Sequence, residues 1–172
     1  MNDIFGFWQK RKNYNLKTTM KWKHPPRIKV YEALGAVADN RVEISGDSGK
    51  VYSSSRNKFY DIIYNPETNA IMANDNGSYW VGYLGYPAIA FLMKIGVLHY
   101  NERWGELMKG IAWKDINVKF KNDFDKTLKL IIADFSKDEV SGIKEYVKEI
   151  ENEIKGLDLN LLGEKTNPPD GY

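Results

Sequence analysis

Few residues of this chain have the type and spacing that chemistry requires, and three of them are consecutive. Asn74, Asp75 and Asn76 form a polar turn between an apolar strand-like run and an apolar helix. Their oxygens could bind a hard cation, but calcium needs about six or more oxygen ligands, and the closing Glu of a calcium loop is missing. The other interpretation is a turn whose side chains bond to their own backbone. The three residues are therefore a candidate ligand turn, and no metal is predicted.

Histidine and serine give weaker signals. The chain has two histidines, His24 and His99, and no cysteine, whereas a zinc site needs three or four ligands. His99 with Asp75 and Asn76 could serve a small hydrolase-type enzyme, which is one alternative function. The serines at 53–55 lack the glycine frame of a strained nucleophile turn, and neither common phosphate-binding glycine pattern occurs. No catalytic residue and no cofactor is predicted.

The N-terminal segment is strongly basic. Residues 1–29 contain eight Lys/Arg and one acid, a net charge of +7, whereas the whole chain carries +2. Cations follow a phosphate backbone, and aromatic rings stack on bases. A solvated or partly docked extension is the other interpretation. We predict that this arm binds nucleic acid, either DNA or RNA, through Lys10, Arg11, Lys12, Lys17, Lys21, Lys23, Arg27, Trp8, Tyr14 and Trp22.

The elements after the arm predict an α+β domain. Pro25 and Pro26 end the arm, and apolar residues at helical spacing predict a helix over 28–39. Four strand-like runs separated by turn residues occupy residues 41–74, which predicts a small antiparallel sheet of about four strands. Pro87 then begins a helix that is apolar nearly all round, so we expect it to be buried. Several helices are expected to cover the sheet.

Amphipathic helices are predicted over residues 103–155. The last one opens with Ser136 and Glu139 at the spacing of a capping box, and Gly156 is expected to end it. Its apolar residues recur at steps of three and four, which favours packing against its own domain. The same pattern could form a seam between two copies. An assembly subunit that forms a homodimer through residues 137–155 is therefore a second alternative function.

The strand-like runs "VYSSS" and "KFYDIIY" precede the turn that contains Asp75, and Pro87 then begins a helix. In this order of elements, residues 41–95 resemble a SWIM-type zinc-binding domain without its ligands. That family places short strands before a metal-binding turn and a helix, with ligands in Cys-x-Cys and Cys-x-His pairs, and Asp75 and Pro87 match the residues that flank the two pairs. The four ligand positions then fall on Ile71, Ala73, Ala88 and Ala90. These side chains have no donor atoms, so the resemblance implies a metal-free scaffold, from a family associated with nucleic acids and with proteins.

A zinc module can lose its metal only if packing replaces the stabilisation that the metal gave. Four aromatic side chains crowd the gap between the two pairs, and each buried ring removes about 150 Å² or more from water. We therefore expect these rings to be buried in place of the ion: Tyr79, Trp80, Tyr83 and Tyr86.

Three segments are expected. They are the arm at 1–27, a single domain at 28–165 with its SWIM-like core at 41–95 and its helical part at 103–155, and a flexible tail at 166–172. No apolar run reaches the length of about 20 residues that a bilayer requires, and the N-terminus lacks a signal-peptide pattern. We expect a cytoplasmic protein with no membrane partner. High Lys, Ile and Glu without Cys is compatible with a thermophile and with an AT-rich genome. The predicted function is a non-enzymatic binding module for nucleic acid or protein.

Overall fold

Residues 20–170, the part of the chain that the computed structural model describes, form a mixed five-stranded sheet and several helices. The strands are β1 Val42–Ser45, β2 Ser48–Tyr52, β3 Phe59–Asn65, β4 Ala70–Ala73 and β5 Asn160–Leu161. The first four pair antiparallel in sequence order, and β5 pairs parallel with β4. The predicted α+β fold is confirmed.

The helices lie in layers over one face of the sheet. They are α1 Ile28–Ala38, a π-helix Gly77–Val81, α2 Tyr86–Lys94, α3 Glu102–Leu107, α4 Trp113–Lys119, α5 Phe124–Ile131 and α6 Lys137–Leu157. Helix α2 packs on the sheet, α1 packs on α2, and α3 and α6 pack on α1. Within residues 20–170, no helix is both long and apolar enough to cross a bilayer.

The core lies between the sheet and α2. Val51 of β2 and Ile62 of β3 are fully buried between more exposed neighbours, as a strand with one covered face requires. Ile71 is also fully buried, in β4, whose four residues are all buried. Helix α2 is buried at nearly every position because it lies between the sheet and α1. Gly49 of β2 lets the two layers approach, since a Cβ there would lie 2.8 Å from the ring of Phe91.

Helix α6 begins as predicted and ends later. Ser136 and Glu139 form the complete capping box. The helix continues through Gly156 to Leu157 and ends where Asp158 takes a left-handed φ of 46°. The prediction that Gly156 ends the helix is therefore wrong. Most of the apolar seam is buried against the rest of the same chain: Ile143, Val147, Ile150 and Ile154.

Three of the described elements were not predicted from the sequence: the π-helix Gly77–Val81, strand β5 and helix α4. Strand β5 is two residues long, too short for any alternation to mark it. Helix α4 follows a break at Gly110, whose φ of 72° is left-handed. The apolar spacing predicts one helical face that reaches Ile111, but α3 ends at Leu107 and the chain turns before α4.

Candidate functional site

A cleft of about 490 Å³ opens beside the N-terminal half of α1. Helix α1 and the end of the sheet form one wall, and α4 with the start of α5 forms the other. The π-helix and the first residues of α2 close a third side. Small-molecule sites usually measure about 300–1,000 Å³, so the cleft has the size of such a site.

Two charged side chains of α1 face this cleft. Every residue of α1 other than Lys29 is buried, including Glu32. The Lys29 ammonium donates to Glu32 Oε1 and Oε2 at 2.9 and 3.1 Å and lies 4.7 Å from the centroid of the Phe124 ring. Asn117 Nδ2, from α4, donates to the same Glu32 Oε1 at 2.9 Å. The charges of a central helix are thus fixed at the cleft instead of in bulk solvent.

The ion pair keeps Lys29 protonated. Burial by itself would lower the pKa of the Lys29 ammonium, but attraction to Glu32, supported by Tyr83 and Asp75, outweighs burial and raises this pKa. A protonated lysine cannot act as a base or a nucleophile, and it can donate hydrogen bonds. Buried ion pairs add little stability compared with apolar residues of the same volume. A contribution to stability therefore explains the presence of the buried Lys29–Glu32 pair only poorly.

Three buried polar atoms of the described cleft residues lack a hydrogen-bond partner: Arg41 Nη2, Trp113 Nε1 and Asn117 Oδ1. Arg41, which is only 2% exposed, donates from Nε to Asp39 Oδ2 at 3.2 Å and from Nη1 to the Tyr52 carbonyl at 2.9 Å. Its Nη2 has no hydrogen-bond partner among the described residues, and neither has Asn117 Oδ1 on the opposite wall. An unpaired buried polar atom costs about 1–3 kcal/mol. Sites that carry such a cost are candidates for binding.

The predicted ligand turn forms one edge of the cleft, and its carboxylate is bonded to protein. Asp75 Oδ1 accepts the backbone N–H groups of Gly77 and Ser78 at 3.1 and 3.2 Å, and Oδ2 accepts the Ser78 hydroxyl at 2.5 Å. Gly85 lies directly against this carboxylate, where a Cβ would overlap it. Asp75 therefore holds the start of the π-helix by bonding to its own backbone, as the second interpretation of the turn describes.

The remaining atoms of the turn have similar structural roles. Asn74 Oδ1 accepts the Asp61 N–H at 2.8 Å, and Asn74 Nδ2 donates to the Asn167 carbonyl at 3.4 Å. Asn76 lines the cleft. Across residues 20–170, no three His, Asp or Glu side chains are placed to hold a metal ion together.

Two tyrosines of the cleft lining, Tyr83 and Tyr86, interact electrostatically with its charged groups. Burial raises the pKa of the Tyr83 hydroxyl against an opposing effect of Lys29, and burial raises the pKa of Tyr86 well above its ordinary value against an opposing effect of Arg41. Both hydroxyls therefore stay protonated and can donate and accept hydrogen bonds. Gly77 makes this arrangement possible, because a Cβ there would overlap the Tyr83 ring.

Three exposed apolar side chains surround the mouth of the cleft. Trp80 and Val81 of the π-helix are 73% and 52% exposed, and Val118 of α4 is 63% exposed. The expectation that Trp80 is buried is wrong, because its place in the π-helix puts it on the outer side, edge-on to Tyr79. Clustered exposed apolar groups mark interaction sites. π-Helices are rare overall, and those that occur are often found at functional sites.

Comparison with protein families gives a match that covers most of the chain. A family model described as "Uncharacterised conserved protein UCP014422" matches residues 22–160. The chain belongs to this family. No curated protein and no solved structure gives a significant match. The span that matches UCP014422 contains every residue that lines the cleft, whereas residues 10–17 of the predicted arm lie outside it.

The end of the predicted arm packs on the domain. Lys21 Nζ donates to Asp158 Oδ2 at 2.6 Å. The Trp22 indole is half-buried and donates to the Ile71 carbonyl at 2.9 Å. Trp22 therefore packs against the core of the domain with part of its surface.

The other described cations of the arm are also bonded to the domain. Lys23 Nζ donates to the Val81 carbonyl at 3.1 Å, and Arg27 pairs with Glu151 of α6 at 3.0 Å. Lys21 and Arg27 are thus paired with acids of the domain, whereas Lys23 bonds to a neutral carbonyl. The rest of the predicted nucleic-acid surface lies outside the described residues: Lys10, Arg11, Lys12, Lys17, Trp8 and Tyr14.

His99 lies apart from the turn. Its N–H donates to Glu153 at 2.9 Å, and its carbonyl accepts the Tyr146 hydroxyl at 2.8 Å. His99 does not line the cleft, whereas Asp75 and Asn76 do. The structure therefore does not assemble the three residues that the hydrolase alternative requires.

The four positions that the SWIM resemblance assigns to ligands are core positions. Ile71 and Ala73 belong to β4, Ala88 and Ala90 belong to α2, and all four are buried. Helix α2 packs directly on β4. Strand and helix thus meet there through apolar contacts, and the relationship to SWIM domains stays a prediction.

Sequence reasoning did not identify Glu32, Arg41 and Asn117 as site residues. One signal was available: Lys29 and Glu32 are spaced by three residues in a helix whose other positions are apolar or small. Such a pair usually marks a solvated face, so it does not reveal a cleft without the tertiary structure. Asn117 carried no signal, because α4 was not predicted.

Proposed function

We propose that this chain is a ligand-binding protein that holds a small organic molecule in the cleft. The observation that carries the proposal is the Lys29–Glu32 pair of a buried helix, which faces a cleft whose rim exposes Trp80 and Val118. Binding sites of this type combine apolar walls with a few polar groups that orient the ligand. The proposal keeps the predicted class, a non-enzymatic binding module, and replaces the predicted nucleic-acid or protein partner with a small molecule.

A purely structural role explains these features less well. A packed core has few gaps larger than a water molecule, and an exposed Trp80 forgoes the few kcal/mol that burial of an aromatic ring supplies. The ion pair and the unpaired Arg41 Nη2 add desolvation costs without a matching gain in packing. A bound ligand that accepts hydrogen bonds from these groups would offset their desolvation costs.

The test is a screen of ring-containing fragments that includes aromatic acids, aromatic amines, nucleosides and monosaccharides. Saturation-transfer NMR detects binding, and the indole N–H signal of Trp80 reports its place. At about ten times its dissociation constant, a bound fragment should raise the free energy of unfolding by about 1.4 kcal/mol, a shift in Tm of about 3–6 °C for a chain of this size.

Matched variants locate the binding. Trp80→Ala with Val118→Ala should weaken every hit, because it removes the apolar rim. Leu130→Ala is the control, since Leu130 is also exposed and apolar but does not line the cleft. Hits that bind both variants equally, or a screen without hits, would refute the proposal.

A second candidate is nucleic-acid binding through the arm, and the net charge of +7 on residues 1–29 supports it. Its test compares the full chain with residues 20–172 in titrations of DNA and RNA, single- and double-stranded. The shorter chain lacks Lys10, Arg11, Lys12 and Lys17 but keeps the docked residues 20–27. Equal binding by the two chains, or no binding at moderate salt, argues against the arm.

A further inference from the structure

We infer that the cleft selects an organic anion, in which a carboxylate, phosphate or sulfonate is attached to a ring-sized apolar body. This inference rests on the proposed function and specifies the chemistry of the ligand. It follows from the balance of charge, from the hydrogen-bonding capacity of the lining residues and from the placement of the apolar rim.

The residues that line the cleft include more cations than acids, although Arg41 is paired with Asp39, which lies outside the lining. Lys29, Arg41 and Lys114 supply three cationic groups to the lining, whereas Glu32 and Asp75 supply two acids. A narrow cleft with low-dielectric walls concentrates such a field and attracts the opposite charge.

The acids of the lining already accept hydrogen bonds from protein groups. Glu32 accepts from Lys29 and Asn117, and Asp75 accepts from Gly77 and Ser78. Their oxygens have little capacity left for a donor on a ligand.

Donors, in contrast, remain. An ammonium has three N–H donors, and Lys29 uses at most two of them on the Glu32 carboxylate. Arg41 carries the unpaired Nη2 within the wall, where its charge acts through a low-dielectric medium even without contact. The Tyr83 and Tyr86 hydroxyls, which stay protonated, add two more donors. Asn117 Oδ1 is an acceptor without a partner among the described residues, but these donors outnumber it, so the cleft fits a ligand rich in acceptors.

A cationic ligand fits less well because Lys29 already occupies the place that such a ligand would take. Its ammonium lies between the Glu32 carboxylate and the face of Phe124, at 2.9 Å from an oxygen and 4.7 Å from the ring centroid. A carboxylate with an aromatic face is the usual arrangement for holding a cation. The chain has thus filled its own cation site and presents the outer side of that cation to the cleft.

The rim defines the other end of the ligand. Trp80, Val81 and Val118 stand at the mouth, while Lys29 and Glu32 belong to the buried helix beneath. A molecule with its acidic group toward Lys29 places its apolar body against these side chains. An aromatic acid of two fused rings has this shape.

The test uses a pair of compounds that differ in charge but hardly in shape, indole-3-acetate and indole-3-acetamide. Calorimetric titration of the full chain should show that the acid binds about tenfold or more tightly than the amide, since hydrogen bonds to charged groups contribute about 1.5–3 kcal/mol. Phenyl phosphate in the same assay distinguishes a preference for phosphate from one for carboxylate.

A double variant assigns the preference to the buried pair. Lys29→Gln with Glu32→Gln removes both charges without leaving either one unpaired, and it should reduce the preference for the acid to less than about threefold. The matched control is Lys109→Gln with Glu106→Gln, an exposed pair at the same spacing that does not line the cleft. This control should leave the preference unchanged.

Two results would overturn the inference. Equal binding of the acid and the amide removes the selection for an anion and leaves the proposed ligand-binding function standing. No binding of either compound at millimolar concentration excludes an aromatic anion as the ligand, and the fragment screen then decides the proposed function independently.

Discussion

At the scale of single residues, the Asp75 carboxylate combines two opposing influences. Burial disfavours its charged form and raises its pKa, while the hydrogen bonds from Ser78 and the nearby Lys29 favour the charged form. Burial is the larger influence. Asp75 therefore stabilises the start of the π-helix through hydrogen bonds, and the free-energy cost of burying its carboxyl group depends on whether that group is ionised.

This balance predicts how the stability of the protein changes with pH. The folded-state pKa of Asp75 lies above its ordinary value of 3.8, so the unfolded chain loses its proton first as pH rises. The free energy of unfolding should then fall between pH 3.8 and the raised pKa and stay constant above it. Asp75→Asn has no such proton, and its amide can still bond to Gly77 and Ser78.

Urea unfolding of both proteins across this pH range measures the effect. The wild type should lose stability relative to Asp75→Asn as pH rises through the window. If the difference between the two proteins stays constant with pH, or changes in the opposite direction, the assigned direction of the pKa shift is wrong.

At the scale of elements, α1 is packed so closely that one of its residues has to be glycine. A Cβ on Gly35 would lie 2.7 Å from the Met108 carbonyl oxygen and 2.9 Å from Trp113 Nε1. Backbone and a rigid indole cannot move away as a flexible side chain can. The approach of α3 and α4 to α1, which forms one wall of the cleft, therefore depends on Gly35.

Two alanine substitutions in helices should have opposite effects for this reason. Gly35→Ala should lower the free energy of unfolding by about 1–3 kcal/mol, because overpacking outweighs the gain in helix propensity. Gly156→Ala in α6 meets no atom within 4 Å and should raise it by about 0.5–1 kcal/mol. Thermal or urea unfolding tests both changes, and a stabilising Gly35→Ala would contradict the packing described.

The elements that the sequence revealed are those with long or repeated signals. Helix α1 was predicted to within one residue and α6 to within two, because a full apolar period and, for α6, a capping box marked them. Strand β5 and helix α4 form through tertiary contacts and carry no comparable local pattern. Trp80 shows the same limit, since aromatic character predicts burial and only the π-helix explains its exposure.

At the scale of the whole molecule, segments far apart in sequence meet beside β4. The Met20 carbonyl accepts the Leu161 N–H at 2.7 Å, and the Trp22 N–H donates to the Leu159 carbonyl at 3.1 Å. Lys23 exchanges backbone hydrogen bonds with the segment that leads into α2. The docked part of the arm is thus one piece of the domain that carries the cleft.

Removal of these contacts should weaken the domain. A chain of residues 28–172 should be less stable than one of residues 20–172 by about 2–4 kcal/mol, because it loses the Trp22 indole with its bond to Ile71 and the backbone bonds around it. Unfolding in urea compares the two chains directly. Equal stabilities would show that the docked segment contributes nothing.

The candidate site could not be predicted from the sequence because it exists only at this scale. Its charged residues, Lys29, Glu32 and Arg41, are close in sequence, but Asn117 and Phe124 come from helices packed across from them. The polar turn at 74–76 was found because its residue types are concentrated in one place. The other residues of the cleft were not found, because their types and sequence positions are ordinary and only the fold brings them together.

The pairing of β4 with residues 160–162 bears on synthesis of the protein at the ribosome. Leu162 donates to the Ile71 carbonyl at 3.0 Å, and β5 is the only described strand on that side of β4. A nascent polypeptide therefore holds an incomplete sheet, with unsatisfied backbone groups along β4, until residues 160–162 have emerged from the ribosome. During that interval the growing chain has a template for association with its neighbours, and chaperone demand should be concentrated there.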